Sequence, residues 1–147
     1  MYELVVVMHI LGAIAWIGSG FLLTLGFGRI RSAEGPAAVD QTMVRMESTA
    51  NLIFVVAPPL VLLTGIGMVL WSDAWAFSQV WIYLALGLFV VTAILGGGVS
   101  GKMEKEMKKA RESGTDASDV LDRFLKVGWL EMVILAAIVV LMVYKPI

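Results

Sequence analysis

Four apolar runs without lysine or arginine limit what this chain can fold into: residues 4–27, 52–71, 80–99 and 127–144. Each has about 18–24 residues, the length at which a helix covers roughly 30 Å of hydrocarbon. The runs lack period-2 alternation and exceed the length of a barrel strand. In lipid every backbone amide must be satisfied within its own segment, which leaves helices. The expected fold is therefore all-α: an integral membrane antiparallel four-helix bundle, one transmembrane domain over residues 1–147, with connecting loops 28–51 and 100–126.

Composition supports this reading and removes several kinds of chemistry. Hydrophobic residues make up 59% and charged residues 16%, against about 45–50% and 25% in soluble domains. With no cysteine, the chain offers no disulfide, thiolate zinc site, iron–sulfur cluster or cysteine nucleophile. With one histidine, no site built from two imidazoles of one chain is available. Ala13-Ile14-Ala15 has the form of a signal-peptide cleavage site. Glu3 precedes it without a basic residue and the apolar run continues to Phe27, so the segment is expected to stay as a helix.

Of the 11 basic residues, Arg29, Arg31 and Arg45 follow the first run. Lys102, Lys105, Lys108, Lys109, Arg111, Arg123 and Lys126 separate the last two, and only Lys145 lies elsewhere. The positive-inside rule makes that side cytoplasmic and puts both termini outside, in the inner (plasma) membrane of a bacterial cell. Trp71, Trp75, Phe77 and Trp81 around the short outer loop, with Tyr2 and Tyr144, sit where amphipathic rings concentrate. Gly35-Pro36 opens a helix that runs through Asn51 into the second span. Lys102/Glu106, Glu104/Lys108 and Lys108/Glu112 stand at helical spacing, Ser113-Gly114 stops that helix, and Thr115 or Asp116 caps the next. A charged hairpin projecting ~15–18 Å is expected. Its basic and acidic residues are mixed, so it is no polybasic patch, and nucleic acid is excluded as a partner.

Chemistry has few carriers. His9 lies ~8 Å inside the first span, and an ionisable group there is a functional candidate by default. Gly12, Ala13, Trp16 and Gly20 share its helical face, a small-residue groove suited to a close helix or to a flat ligand. Three roles stand open: an imidazole hydrogen-bonded to a neighbouring helix, a haem or metal ligand, and a proton carrier. If His9 binds haem iron, Met68 and Met142 lie at comparable depth as second ligands. Met8 beside His9, with Met68, also suits copper(I). Glu131 is the other intramembrane charge, expected to bond Asn51 or to reach toward Lys102 or Lys126; a proton relay with His9 is the alternative. Pro58-Pro59 is expected to bend the second span. Gly96-Gly97-Gly98 lacks a following Lys-Ser/Thr and is no phosphate loop. The Gly97/Gly101 pair is a weak dimer motif, so a homo-oligomer within the lipid bilayer stays open. No hydrolase triad or paired-carboxylate site can be assembled.

The pattern His9-x6-Trp16-x-Gly18, read as HILGAIAWIG, resembles the first helix of bacterial four-helix membrane proteins grouped under a domain of unknown function (DUF2269). The resemblance extends through Leu63-Thr64-Gly65, Trp75-x5-Trp81, the charged hairpin and the ending Met142-Val143-Tyr144-Lys145-Pro146. The same opening is similar to the copper-resistance D family and to the membrane-bound protoporphyrinogen oxidase family. In the latter the matching histidine is regarded as a haem ligand, which the resemblance transfers to His9. Where that family has a Trp-Leu-His-x-Lys-like segment, this chain has Trp81-Ile82-Tyr83-Leu84-Ala85, so the oxidase's basic residue is missing. The resulting expectation is a haem- or porphyrin-binding, redox-linked membrane protein using His9, with haem b as cofactor. The alternatives are a non-enzymatic structural or interaction subunit, and outer-face copper handling.

Overall fold

The computed structural model describes residues Met1–Lys145. Pro146 of the C-terminal motif lies outside them. Helix α1 spans Tyr2–Ala33, and a turn at Glu34-Gly35 leads into α2, Pro36–Leu70. Pro36 opens α2 because its fixed φ is helical and its missing N–H is not needed there. Pro58 and Pro59 lie inside α2, which continues through both as one helix. Helix α3 is Val80–Ala93, followed by a π-helical segment, Ile94–Ser100, and by α4, Gly101–Ser113. The three successive glycines fall in the π-helical segment, where their poor helix propensity leaves the backbone free to widen. Gly114 ends α4 in the left-handed conformation at φ 68°, as its sequence position implies. Helix α5 is Ser118–Tyr144, and Asp116 accepts a bond from the Ser118 N–H at its start.

Four helical stretches are long and apolar enough to cross a membrane: Tyr2–Ala33, Pro36–Leu70, Val80–Ser113 and Ser118–Tyr144. They are longer than the apolar runs because α1, α2, α4 and α5 continue beyond them at one end. That charged end is held by a small apolar core of Phe27, Val39, Met107 and Leu121. Two ion pairs, Arg31–Asp122 and Arg111–Asp40, close over it. At the other end Trp75 stands edge-on to Trp81 at 5.4 Å, and the Lys145 ammonium lies 3.9 Å above the Trp75 ring. This fixes the chain's last described turn against the short loop by a cation–π contact.

Between the ends the core is narrow: Trp16, Ala57, Val61, Ala85, Leu135 and Ile138. Large apolar side chains such as Leu11, Leu22, Leu63 and Val133 point outward, each 60% or more exposed. That pattern suits a lipid-facing surface, where apolar residues need no burial and helices associate by close packing. Close packing is what the small residues provide. A Cβ on Gly12 would stand 3.0 Å from the Val61 side chain, and one on Gly20 would stand 2.7 Å from Met132. Along α1 and α2 the partners run in opposite order: Val5 meets Gly67, His9 meets Gly65, and Gly12 meets Val61.

Candidate functional site

The polar groups of the apolar runs fall in two separate places. His9 sits in the α1–α2 contact. Its Nδ1 lies 3.0 Å from the Val61 carbonyl oxygen and 3.1 Å from Thr64 Oγ1. A carbonyl only accepts, and the Thr64 hydroxyl already donates to the Leu60 carbonyl at 2.6 Å. Nδ1 must therefore carry a proton, shared between both oxygens, so that in a neutral imidazole Nε2 is the acceptor nitrogen. Gly65 provides the space, since a Cβ there would lie 3.1 Å from His9 Cε1. This is the hydrogen-bonded role on a neighbouring helix that the sequence left open.

The groove expected beside His9 is filled at Gly12 by α2, while its far end at Trp16 and Gly20 borders a cavity. Helix α2 packs into Gly12, and Trp16 is 5% exposed, edge-on to Phe89 at 5.5 Å. Of the residues expected around a porphyrin, Gly12 and Trp16 are thus committed to helix packing. Met142 packs against the central apolar core and Met68 is half-buried on α2. Met8 is 40% exposed while His9 turns to α2, so these neighbours do not converge on one copper site. No group of three or more His, Asp or Glu able to hold a metal occurs among the described residues.

The second place is a half-open cavity of about 860 Å³, with exposed Val44, Asn51 and Val55 of α2 along its open side. It extends from Trp16 and Phe89 in the middle of the bundle to Lys108 and Arg111 at the charged end. Helices α1, α2, α3, α4, α5 and the π-helical segment all contribute to its wall. Glu131 projects into it, half-buried, with Oε1 2.9 Å from where a Cβ on Gly96 would stand. Thr24 packs directly on Gly128 in the cavity wall, its Oγ1 3.0 Å from where a Cβ there would stand.

The expected bond between Glu131 and Asn51 is not formed, nor is an ion pair with Lys102 or Lys126. Among the described residues Glu131 has no hydrogen-bond or salt-bridge partner. The reason lies in helix facing: α5 turns Glu131 to the glycine surface of the π-helical segment, while Asn51 lines the cavity from an exposed position on α2. Sequence reasoning located each residue but not the cavity they share. The available signal was the set of small residues Gly20, Gly96 and Gly128 around one intramembrane acid.

A family model described as a predicted integral membrane protein (DUF2269) matches residues 3–146. The chain belongs to that family. Membership covers nearly the whole sequence and agrees with the four apolar helices. No curated protein and no solved structure matches this integral membrane protein.

Proposed function

We propose that this family member is a non-catalytic, membrane-embedded binding protein whose ligand site is the cavity around Glu131. The observation that carries this reading is an unpartnered carboxylate facing a half-open cavity of about 860 Å³ between the helices. Ligand pockets measure roughly 300–1,000 Å³, mostly apolar with a few polar groups. We read the bundle as antiparallel, with its charged end cytoplasmic and both termini outside the inner membrane. The opposed order of α1–α2 contacts and the placement of ten of the 11 basic residues support that orientation.

Because the chain has no cysteine, single thiols report cleanly. Thr24 lines the cavity and is 9% exposed, whereas Leu22 on the same helix is 68% exposed. A water-soluble thiol reagent is expected to label Thr24→Cys, through the cavity, faster than Leu22→Cys in lipid. Labelling of Thr24→Cys no faster than Leu22→Cys would overturn the reading.

A second reading, haem b held by His9, is favoured by one contact. Ligating imidazoles donate their other ring N–H to a carbonyl or carboxylate, and His9 does so to Val61. Haem bound there would supply one-electron redox chemistry. A Soret band in the protein purified after expression with ample haem, lost in His9→Ala, supports this reading; wild type and variant both lacking the band would refute it.

A further inference from the structure

The chemistry of the cavity wall narrows the class of ligand. Five aromatic residues line it: Trp16 and Phe27, which are buried in helix contacts, and Phe54, Phe89 and Phe124, which are partly exposed. Aromatic faces carry partial negative charge and attract cations, most strongly where water is excluded. Glu131 adds a full negative charge at the level of Gly96. A carboxylate in apolar surroundings is unfavourable unless it is paired or neutralised, and no side chain among the described residues pairs with it.

Of the other charged residues that line the cavity, Glu47, Glu104, Lys105, Lys108 and Arg111, none pairs with Glu131. Glu104 and Lys105 are eight and nine residues beyond Gly96, or ~12–14 Å at helical rise. Lys105 and Lys108 are exposed, and Arg111 is held by Asp40. They form a mixed mouth, not a counter-charge at the depth of Glu131.

We propose that the cavity takes a lipophilic organic cation, a protonated or quaternary amine or its equivalent, with Glu131 as counter-ion and the aromatic rings as its walls. This rests on the cavity reading above and specifies its ligand. A cation there satisfies the carboxylate, and its apolar body replaces nothing but hydrocarbon contacts. An anion of equal size meets Glu131, whose charge is of the wrong sign.

Tetraphenylphosphonium and tetraphenylborate have the same shape and opposite charge, and either is small enough for the cavity. Their binding is measured by equilibrium dialysis against nanodiscs holding the full chain, with empty nanodiscs subtracted. Phosphonium is expected to bind near one per protein, to protect Thr24→Cys from labelling, and to weaken about tenfold in Glu131→Gln. His9→Ala is expected to leave that binding unchanged. Borate is expected to show no protein-dependent binding. Equal binding of the two ions with no effect of Glu131→Gln overturns the cationic assignment and leaves the cavity reading intact. So does absent phosphonium binding while Thr24→Cys remains reactive. Absent binding together with an unreactive Thr24→Cys overturns both.

Discussion

Glu131 and Gly96 fit one another so closely that a side chain on the glycine would contact the carboxylate, at 2.9 Å from Cβ to Oε1. The contact joins α5 to the π-helical segment at the cavity wall. Alanine at position 96 is tolerable, because the far end of Glu131 can swing aside and alanine favours helix by about 1 kcal/mol over glycine. Gly96→Leu has no such escape and is expected to cost about 1–3 kcal/mol through overpacking. In a Glu131→Ala background that cost should fall by about 1 kcal/mol, a coupling readable by a double-mutant cycle in detergent. Additive costs would show that the two residues do not compete for the same space.

His9 illustrates a polar contact whose partners are already provided for. Thr64 donates to Leu60, so losing the imidazole leaves neither oxygen stranded. His9→Ala is expected to lower stability by about 1 kcal/mol, in the range of interhelical hydrogen bonds in membranes. Thr64→Val should cost less, about 0.5 kcal/mol, because Nδ1 keeps Val61. Thermal unfolding of the purified variants orders the two effects.

The helices and their ends were legible because they follow from strong local rules. Pro36 after Gly35, Gly114 after Ser113 and the four uncharged runs act within a few residues of where they sit. The site was legible only residue by residue. His9 and Glu131 declared themselves as polar groups in apolar runs, and Asn51 as one at the edge of a run, but which helix each faces depends on rotation about the helix axis. Rotation is set by packing at positions far apart in sequence, such as Gly12 on Val61 and Gly20 on Met132. The expected Glu131–Asn51 bond therefore placed both residues on one cavity and missed their facing. Val39, Met107 and Leu121, which complete the apolar core with Phe27, were hidden in segments that read as charged.

Arg31 holds Asp122 through two parallel bonds, Nε to Oδ1 at 2.9 Å and Nη2 to Oδ2 at 3.2 Å. This ties α1 to α5 over the charged-end core. Both side chains are partly exposed, 30% and 45%, so Arg31→Ala is expected to cost only about 0.5–1 kcal/mol. Arg31→Lys should recover less than half of that, since lysine keeps the charge and loses the planar fork. The Arg31→Ala effect should shrink as salt is raised from low to molar concentration. An effect insensitive to salt would point to lost packing of the arginine stem instead.

The turn between α4 and α5 rests on a glycine at φ 68°, a conformation that any Cβ strains. Gly114→Ala is expected to destabilise by about 1 kcal/mol, and Gly114→Asn by less, because asparagine tolerates the left-handed region. Thermal unfolding measures both. Equal stability of the alanine variant would mean that the turn relaxes without loss.

Two residues on, Asp116 accepts hydrogen bonds from the Ser118 hydroxyl and then from the Ser118 N–H. These bonds favour the ionised carboxylate and hold it below its ordinary value, the side-chain bond contributing most. A depressed carboxyl stabilises the folded turn above its unfolded value of about 3.9, and that contribution is lost as pH falls through the lower folded value. The turn should therefore stay formed at neutral pH and loosen only in acid. Ser118→Ala removes the larger of the two causes and should move the Asp116 midpoint upward, toward the ordinary carboxylate range. A carboxyl-carbon NMR titration of both proteins reads the two midpoints directly. Identical midpoints would show that the Ser118 hydroxyl does not set the charge of Asp116.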